Sequence, residues 1–530
     1  MGGEARSAGE MLEMQARRLG DQPYIRCDDD AWVSYAELDH RSSRTAAGLR
    51  ALGVERGDRV AVLAENSVEF AEVVFACSKL GAVEVPVNVY LRGEFLRHQI
   101  EDSGASVAVV DADGRRSLQA LGDPPTLKQV VLSGDDQSDA GDYIRLVDLR
   151  DGASPLPPVR PGSSELGAIM YTSGTTGPAK GCMIPHGMFV APMATYERAG
   201  YLRPGDRVLT PSPMFHMGCQ SAMLMAPLAV GASVCFLGRF SASEFMRTAR
   251  EIEATVLYGV GAAAIAILRR PPDPLDPANS LRCAIWAPLA PAQADEFERR
   301  FDVWTSSEAY GQTEFLPITL GDVEKPPVRG SAGMPVDIAE VQVLDEDGRS
   351  VEPAEVGEIC VRPRRPSVMA MGYWKSPEAS LRSISDLWHH TGDLGRLDEA
   401  GRLWIVDRKV DALRRRGENI SSTEVEAAIV RHPRVEEAAV VGVASEMSEQ
   451  DVMAYLRLAP STRISPAELF DFFREELPYF SIPRYVELVD EFPVNAVGRI
   501  QKDRLRQLGT TPDTWDFDAM GFSVGPGDRR

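Results

Sequence analysis

The segment Tyr171-Thr-Ser-Gly-Thr-Thr-Gly-Pro-Ala-Lys-Gly181 places four Ser/Thr hydroxyls, three glycines and one lysine within eleven residues. Glycines let backbone N–H groups point together at an anion, and hydroxyls and an ammonium add further donors. This is the chemistry of a loop that holds a polyphosphate. The loop is not of the Walker A type, because no Gly-Lys-Ser/Thr stands at the required spacing from an earlier glycine.

The elements that must position this loop read as alternating strands and helices. Arg59–Leu63 is a short β-branched strand. Ser67 to Leu80 is helix-periodic, with Phe70, Val73, Val74, Cys77 and Leu80 on one face, and Gly81 stops it. Val83–Val89, Ser106–Asp111 and Gln129–Leu132 read as further strands. Repeated strand–helix–strand units imply an α/β fold with parallel sheets covered on both faces. Residues 151–164 form a Pro/Gly/Ser-rich connector.

The C-terminal part changes to a compact α+β pattern. Leu403–Val406, Ala438–Val443, Val452–Leu458 and Tyr485–Val489 read as strands, with helices over Ser422–Val430 and Pro466–Leu477. The expected organisation is a large N-terminal α/β region of several subdomains over 1–407, a small domain over 408–510 and a loose tail over 511–530.

Composition bounds the function. The chain has 530 residues, 44% hydrophobic and 25% charged, which excludes disordered, collagen-like and coiled-coil proteins. Its 57 Lys and Arg against 78 Asp and Glu give a net charge of −21. So acidic a chain repels nucleic acid and anionic lipid, and an anionic substrate must meet a local basic site. Seven cysteines without a CxxC pair read as reduced, buried thiols of a cytoplasmic protein. The histidines show no metal-ligand spacing. No leader pattern is visible, and the longest apolar run, Val256 to Leu268, is too short to cross a bilayer.

With the phosphate loop, the motifs Ala309-Tyr-Gly-Gln-Thr-Glu314, Gly330-Ser-Ala-Gly-Met-Pro335, His390-Thr-Gly-Asp393, Asp407-Arg408 and Gly417-Glu-Asn-Ile-Ser421 follow in order. In this set and order the chain resembles the adenylate-forming superfamily of acyl-CoA synthetases, peptide-synthetase adenylation domains and luciferases. The stretch from Gly417 to Glu426 and the overall size are most similar to crotonobetaine/carnitine-CoA ligase-type and other acyl-CoA ligases. The resemblance implies ATP, Mg2+ and CoA as cofactors, a small carboxylic acid as substrate, and a small domain that rotates between two half-reactions.

The resemblance also implies roles. Thr172, Ser173, Thr175, Thr176 and Lys180, with Gly174 and Gly177, cradle the β- and γ-phosphates. Thr313 donates to the α-phosphate and Glu314 holds Mg2+. Tyr310 stacks on adenine, Asp393 accepts from the ribose hydroxyls, and Arg408 reaches the ribose. His216 lies near the acyl pocket and the pantetheine tunnel. Arg414-Arg-Arg416 with Gly417 lies where related ligases place CoA, whose phosphates suit a cation cluster.

Three positions depart from the family pattern. The lysine that bridges carboxylate and α-phosphate in relatives aligns with Arg499, with Lys502 three residues on. Either could serve adenylation, or the first step is unusual. Val410 stands at the hinge, and the segment Ile285-Trp-Ala-Pro-Leu289 differs where relatives carry glycine and small residues near Trp286, beside adenine, so that wall is expected to be rearranged. Small residues at Gly259 to Ala264 and at Ala309 leave room for a bulky acid or for close helix packing. The expected activity is an AMP-forming acyl-CoA ligase. A non-CoA acceptor (a carrier protein, an amine or nitrite) and a non-catalytic nucleotide sensor stand beside it. A homodimer stays open.

Overall fold

The computed structural model describes residues 5–522 except 123, 135–142, 155–156, 158, 173–177, 346, 409–411, 416–417, 446–449 and 494–499. The chain divides into two compact units. The first comprises Met1–Val89, Gln99–Tyr171 and Gly181–Lys409; the second comprises Tyr90–His98, Thr172–Lys180 and Val410–Arg530.

The first unit carries two seven-stranded sheets. In one, the strand Arg59–Leu63 lies between Val83–Pro86 and Val107–Val110, all parallel, with Val60 opposite Glu84 and Val107. The expected strand Gln129–Leu132 has those bounds and continues the sheet beside Val107–Val110. Val60, Ala61, Val62 and Leu63 are all buried, the burial of a parallel strand covered on both faces. The intervening helix is Val68–Leu80: Ser67 Oγ accepts from Phe70 N at 3.0 Å, and Gly81 ends it in the left-handed region at φ 72°. The second sheet is built mainly from parallel strands, with Arg207–Thr210 between Val256–Gly259 and Ser233–Phe236.

One polar group sits deep in this unit. Glu84, in the strand Val83–Pro86, is buried and accepts from Gln220 Nε2 at 2.7 Å. Burial pushes its carboxyl up to about 8. Gln220 opens a π-helical segment, Gln220–Met225.

The rest of the first unit is antiparallel. Ala309–Gln312, Phe315–Leu320 and Met334–Pro335 form a three-stranded sheet. Gly357–Pro363 pairs with Ala339–Leu344 on one side and Trp388–Leu397 on the other. Leu403–Arg408 joins that sheet by pairing with Trp388–Leu397 and belongs to the first unit.

The second unit holds the hairpin Ala412–Arg415 and Glu418–Ser421 and a sheet ordered Val435–Ala444, Gln450–Leu458, Tyr485–Leu488, Trp515–Asp516. The helices Ser422–Ile429 and Pro466–Glu476 pack on it, and Val440, Ala454, Leu469 and Phe473 form its core. The loose tail expected from residue 511 is replaced by structure as far as residue 522. Trp515–Asp516 pairs with the strand Tyr485–Leu488, and Phe517 is buried with its ring 5.3 Å from that of Phe470. An aromatic anchor repays the entropy of ordering a segment whose composition reads as loose.

All seven cysteines are buried and unbridged. No helix among the described residues is long and apolar enough to cross a membrane.

Candidate active site

The hairpin Ala309–Gln312 and Phe315–Leu320 turns through two residues, Thr313 and Glu314, because Gln312 lies opposite Phe315. A side chain at Gly311 would meet the end of the Leu316 side chain, which would have to shift to admit it. Thr313 and Glu314 are thereby held, half-buried, at a rigid tip.

A second element brings Asp393 to this hairpin. Between the pairs Cys360–His390 and Glu358–Leu394, one strand advances two residues and its partner four. The extra residues make a bulge at Thr391-Gly392-Asp393, and Gly392 takes φ 71°, a conformation that favours glycine. Thr391 Oγ1 donates to Ile359 O at 2.7 Å and accepts from Asp393 N at 3.1 Å. The bulge aims the buried Asp393 carboxylate at the hairpin, where Tyr310 Oη donates to Oδ2 at 2.6 Å and Gln312 Nε2 donates to the same oxygen at 2.8 Å. Gln312 Nε2 also reaches Thr391 O at 2.9 Å.

His389 completes the network. Its Nε2 lies 3.4 Å from Gln312 Oε1, and burial holds its imidazole below the ordinary value, hence neutral at neutral pH. A neutral ring protonated on Nε2 donates to Oε1 and turns the amide nitrogen toward Asp393. Glu314 has its own partner, Tyr373, whose hydroxyl donates to Oε1 at 2.7 Å. Burial, then the charge of Glu314, raises the Tyr373 hydroxyl and keeps it a donor.

Tyr310, Thr313, Glu314 and Asp393 are therefore assembled in one place. Sequence reasoning missed Gln312 as an orienting group, and it missed His389 and Tyr373. Gln312 lay inside a quoted motif, but Tyr373 is brought in by long-range pairing and has no local signal.

The other expected residues fall elsewhere. Thr172 ends the strand Leu166–Thr172 and Lys180 opens Lys180–Pro185, neighbouring strands of one sheet. Ser173, Gly174, Thr175, Thr176 and Gly177 lie outside the described residues, as do Arg416, Gly417 and Arg499. Within the second unit, Ala179 N donates to the Glu424 carboxyl, which burial pushes up to about 7. Arg408 ends its strand with its backbone opposite Asp393. His216 is half-buried with its ring 4.6 Å from that of Phe215. Lys502 Nζ is 2.6 Å from Glu426 Oε1 and donates to Ser422 Oγ at 2.7 Å.

One expectation is corrected. Arg415, read as part of a phosphate-facing cluster, is buried, 3.2 Å from Asp451 and bonded to Ile482 O at 2.6 Å. Its guanidinium is a structural cation, because hairpin alternation turns it into the core. Trp286 is fully buried, with the rings of Phe245 and Phe297 at 5.9 and 5.5 Å.

Residues 12–374 match the AMP-binding enzyme family, and residues 424–499 match the AMP-binding enzyme C-terminal domain. The chain is 30% identical over 486 residues to the crotonobetaine/carnitine–CoA ligase of Salmonella paratyphi A, covering 89% of this chain and 93% of that protein. It is 33% identical over 478 residues to a feruloyl-CoA synthase of an Amycolatopsis species, covering 90% and 94%. Among solved structures it is similar to an o-succinylbenzoate CoA synthetase (MenE) double mutant from Bacillus subtilis bound with a product analogue. That similarity has a TM-score of 0.79 and 28% identity, covering 93% of this chain and 97% of the other.

Proposed function

Because the chain belongs to the AMP-binding enzyme family, we propose that it joins a small carboxylic acid to CoA in two steps. A carboxylate oxygen attacks the α-phosphorus of ATP, and pyrophosphate leaves. The CoA thiolate then attacks the acyl carbon, and AMP leaves with the bonding pair of the broken C–O bond. A carboxylate oxygen is a poor leaving group, and AMP is a good one.

The observation that carries this reading is the Asp393 carboxylate, held at one oxygen by Tyr310 and Gln312 beside a hairpin tip made of Thr313 and Glu314. A carboxylate fixed this way presents acceptors to a pair of ribose hydroxyls at low reorganisation cost. The ring of Tyr310, tethered at its hydroxyl, offers a face to adenine. Thr313 would donate to the α-phosphate, and Thr172, Ser173, Thr175, Thr176 and Lys180 would bind the β- and γ-phosphates.

The Glu314 carboxylate, a hard oxygen donor oriented by Tyr373, fits a magnesium ion and is the residue that would hold it. The chemistry such an ion supplies is neutralisation of phosphate charge. Arg499 would bridge carboxylate and α-phosphate. His216 would lie near the acyl group, and Arg408, Arg416 and Gly417 would contact ribose and CoA.

Both curated relatives described above bear CoA-ligase or CoA-synthase names, which supports CoA as the acceptor. The test is pyrophosphate release from ATP, Mg2+ and a panel of aliphatic and aromatic acids, with and without CoA, with products read by mass. A thioester mass that appears only with CoA is expected. Pyrophosphate without thioester would overturn the CoA assignment and point to an amine, nitrite or a carrier protein.

A further inference from the structure

Cys360 and His390 face each other across the antiparallel pair Gly357–Pro363 and Trp388–Leu397. Directly opposed residues project to the same side of a sheet, and Glu358, two residues before Cys360, projects to that side as well. Cys360 Sγ is 3.5 Å from His390 Nδ1, which is 3.0 Å from Glu358 Oε2. The three donor atoms all lie within 4.8 Å of one another. Among the described residues, no other set of His, Cys, Asp and Glu side chains converges in this way.

We propose that Glu358, Cys360 and His390 bind one thiophilic divalent cation of the zinc class. Metal–sulfur and metal–nitrogen bonds of about 2.3 and about 2.0 Å set a tetrahedral S···N edge near about 3.5 Å, the separation already present. The charges also balance. One thiolate, one carboxylate and a neutral imidazole cancel a divalent ion, so a neutral complex is placed in a largely buried site. Binding forms a metal–sulfur bond and releases the Cys360 proton to water, with no change of oxidation state.

The surroundings suit this chemistry. Cys360 is fully buried and packs with Leu344 and Trp388, which shield the sulfur. The His390 side chain is 25% exposed and gives the ion an entry and room for a water as fourth ligand. Glu358 Oε1 accepts from Gly392 N at 3.2 Å, which fixes the carboxylate and leaves Oε2 toward His390.

The test is a titration of the metal-free full chain with Co2+, a spectroscopic stand-in for zinc. The expected result is one Co2+ per chain with a thiolate-to-cobalt charge-transfer band that Zn2+ displaces. Cys360→Ser should abolish the band. His390→Gln should weaken binding by about tenfold or more. Absence of stoichiometric binding, or a band that survives in Cys360→Ser, would overturn the site. If Cys360→Ser does not fold by circular dichroism, His390→Gln carries the test, because that imidazole is partly exposed, and unchanged affinity overturns the proposal.

Discussion

The Lys502 ammonium and the Glu426 carboxylate form an ion pair at 2.6 Å inside the second unit, each side chain only 18% exposed. Ser422 Oγ takes a second bond from the ammonium at 2.7 Å, and Val440 N donates to the same Glu426 oxygen at 2.6 Å. Burial raises the Glu426 carboxyl, and Lys502 opposes that rise. Lys502 therefore anchors the helix Lys502–Leu508 to the helix Ser422–Ile429.

Substitution can separate the two candidates for the bridging cation. Lys502→Ala should destabilise the protein by about 1–3 kcal/mol, the cost of stranding a partly buried carboxylate. At a temperature where it stays folded, it should leave pyrophosphate formation within about tenfold of the parent. Arg499→Ala should lower pyrophosphate formation by several orders of magnitude and spare thioester formation from supplied acyl-AMP. Thermal melts with the two half-reaction assays read this, and the reverse pattern would assign the bridge to Lys502.

Asp393→Ala removes the acceptor shared by Tyr310 and Gln312. ATP affinity by calorimetry should fall by about 10- to 100-fold, the range for losing a buried charged hydrogen-bond partner. Tyr310→Phe, which deletes one donor and keeps the ring, should cost about tenfold or less. Unchanged affinity in Asp393→Ala would place the nucleotide elsewhere.

Tyr373→Phe deletes the donor that orients Glu314. The Mg2+ requirement of pyrophosphate release should move to higher concentration, with kcat lower by about tenfold for a loss of about 1.4 kcal/mol. Glu314→Gln should shift the Mg2+ curve further. Coincident curves for parent and variants would remove Glu314 from the metal's surroundings.

Glu84 supplies a pH prediction. Its carboxyl is raised from 4.5 to about 8 by burial. The folded state thus holds the proton more tightly than the unfolded state. The associated stability is present in full below the unfolded value and is lost as pH rises through about 8. Glu84→Gln does not titrate, so its stability relative to the parent should grow with pH across this window, by at most about 1.4 kcal/mol per pH unit. Denaturant melts across the window read the difference, and a flat difference would mean that Glu84 is ionised throughout.

Local signals in the sequence were strong where the chain's own neighbours decide the outcome. Ser67 and Gly81 bracket a helix because a hydroxyl cap and a left-handed glycine act within one turn. Gln129–Leu132 is a strand because its β-branched run suits a covered sheet. The motifs that supply the hairpin tip and Asp393 were legible from their order in the chain. Long-range pairing was not. Leu403–Val406 reads as a strand from its own residues, but its partner Trp388–Leu397 has no local signal there. Arg415 reads as surface charge until Asp451 and Ile482 O enclose it. Spacing rules for metal ligands search along one segment, so they pass over Glu358, Cys360 and His390, which meet across two strands.

The bulge at Thr391-Gly392-Asp393 lets one strand keep two reading frames. Ahead of it, His389 and His390 are adjacent and face opposite sides, one toward Gln312 and the other toward Cys360 and Glu358. Deleting or inserting one residue before His389 would turn each imidazole to the opposite face and corrupt both faces at once. A length change inside the bulge would leave the histidines in frame and displace Asp393 alone. Tolerance to insertion should therefore switch abruptly at His390.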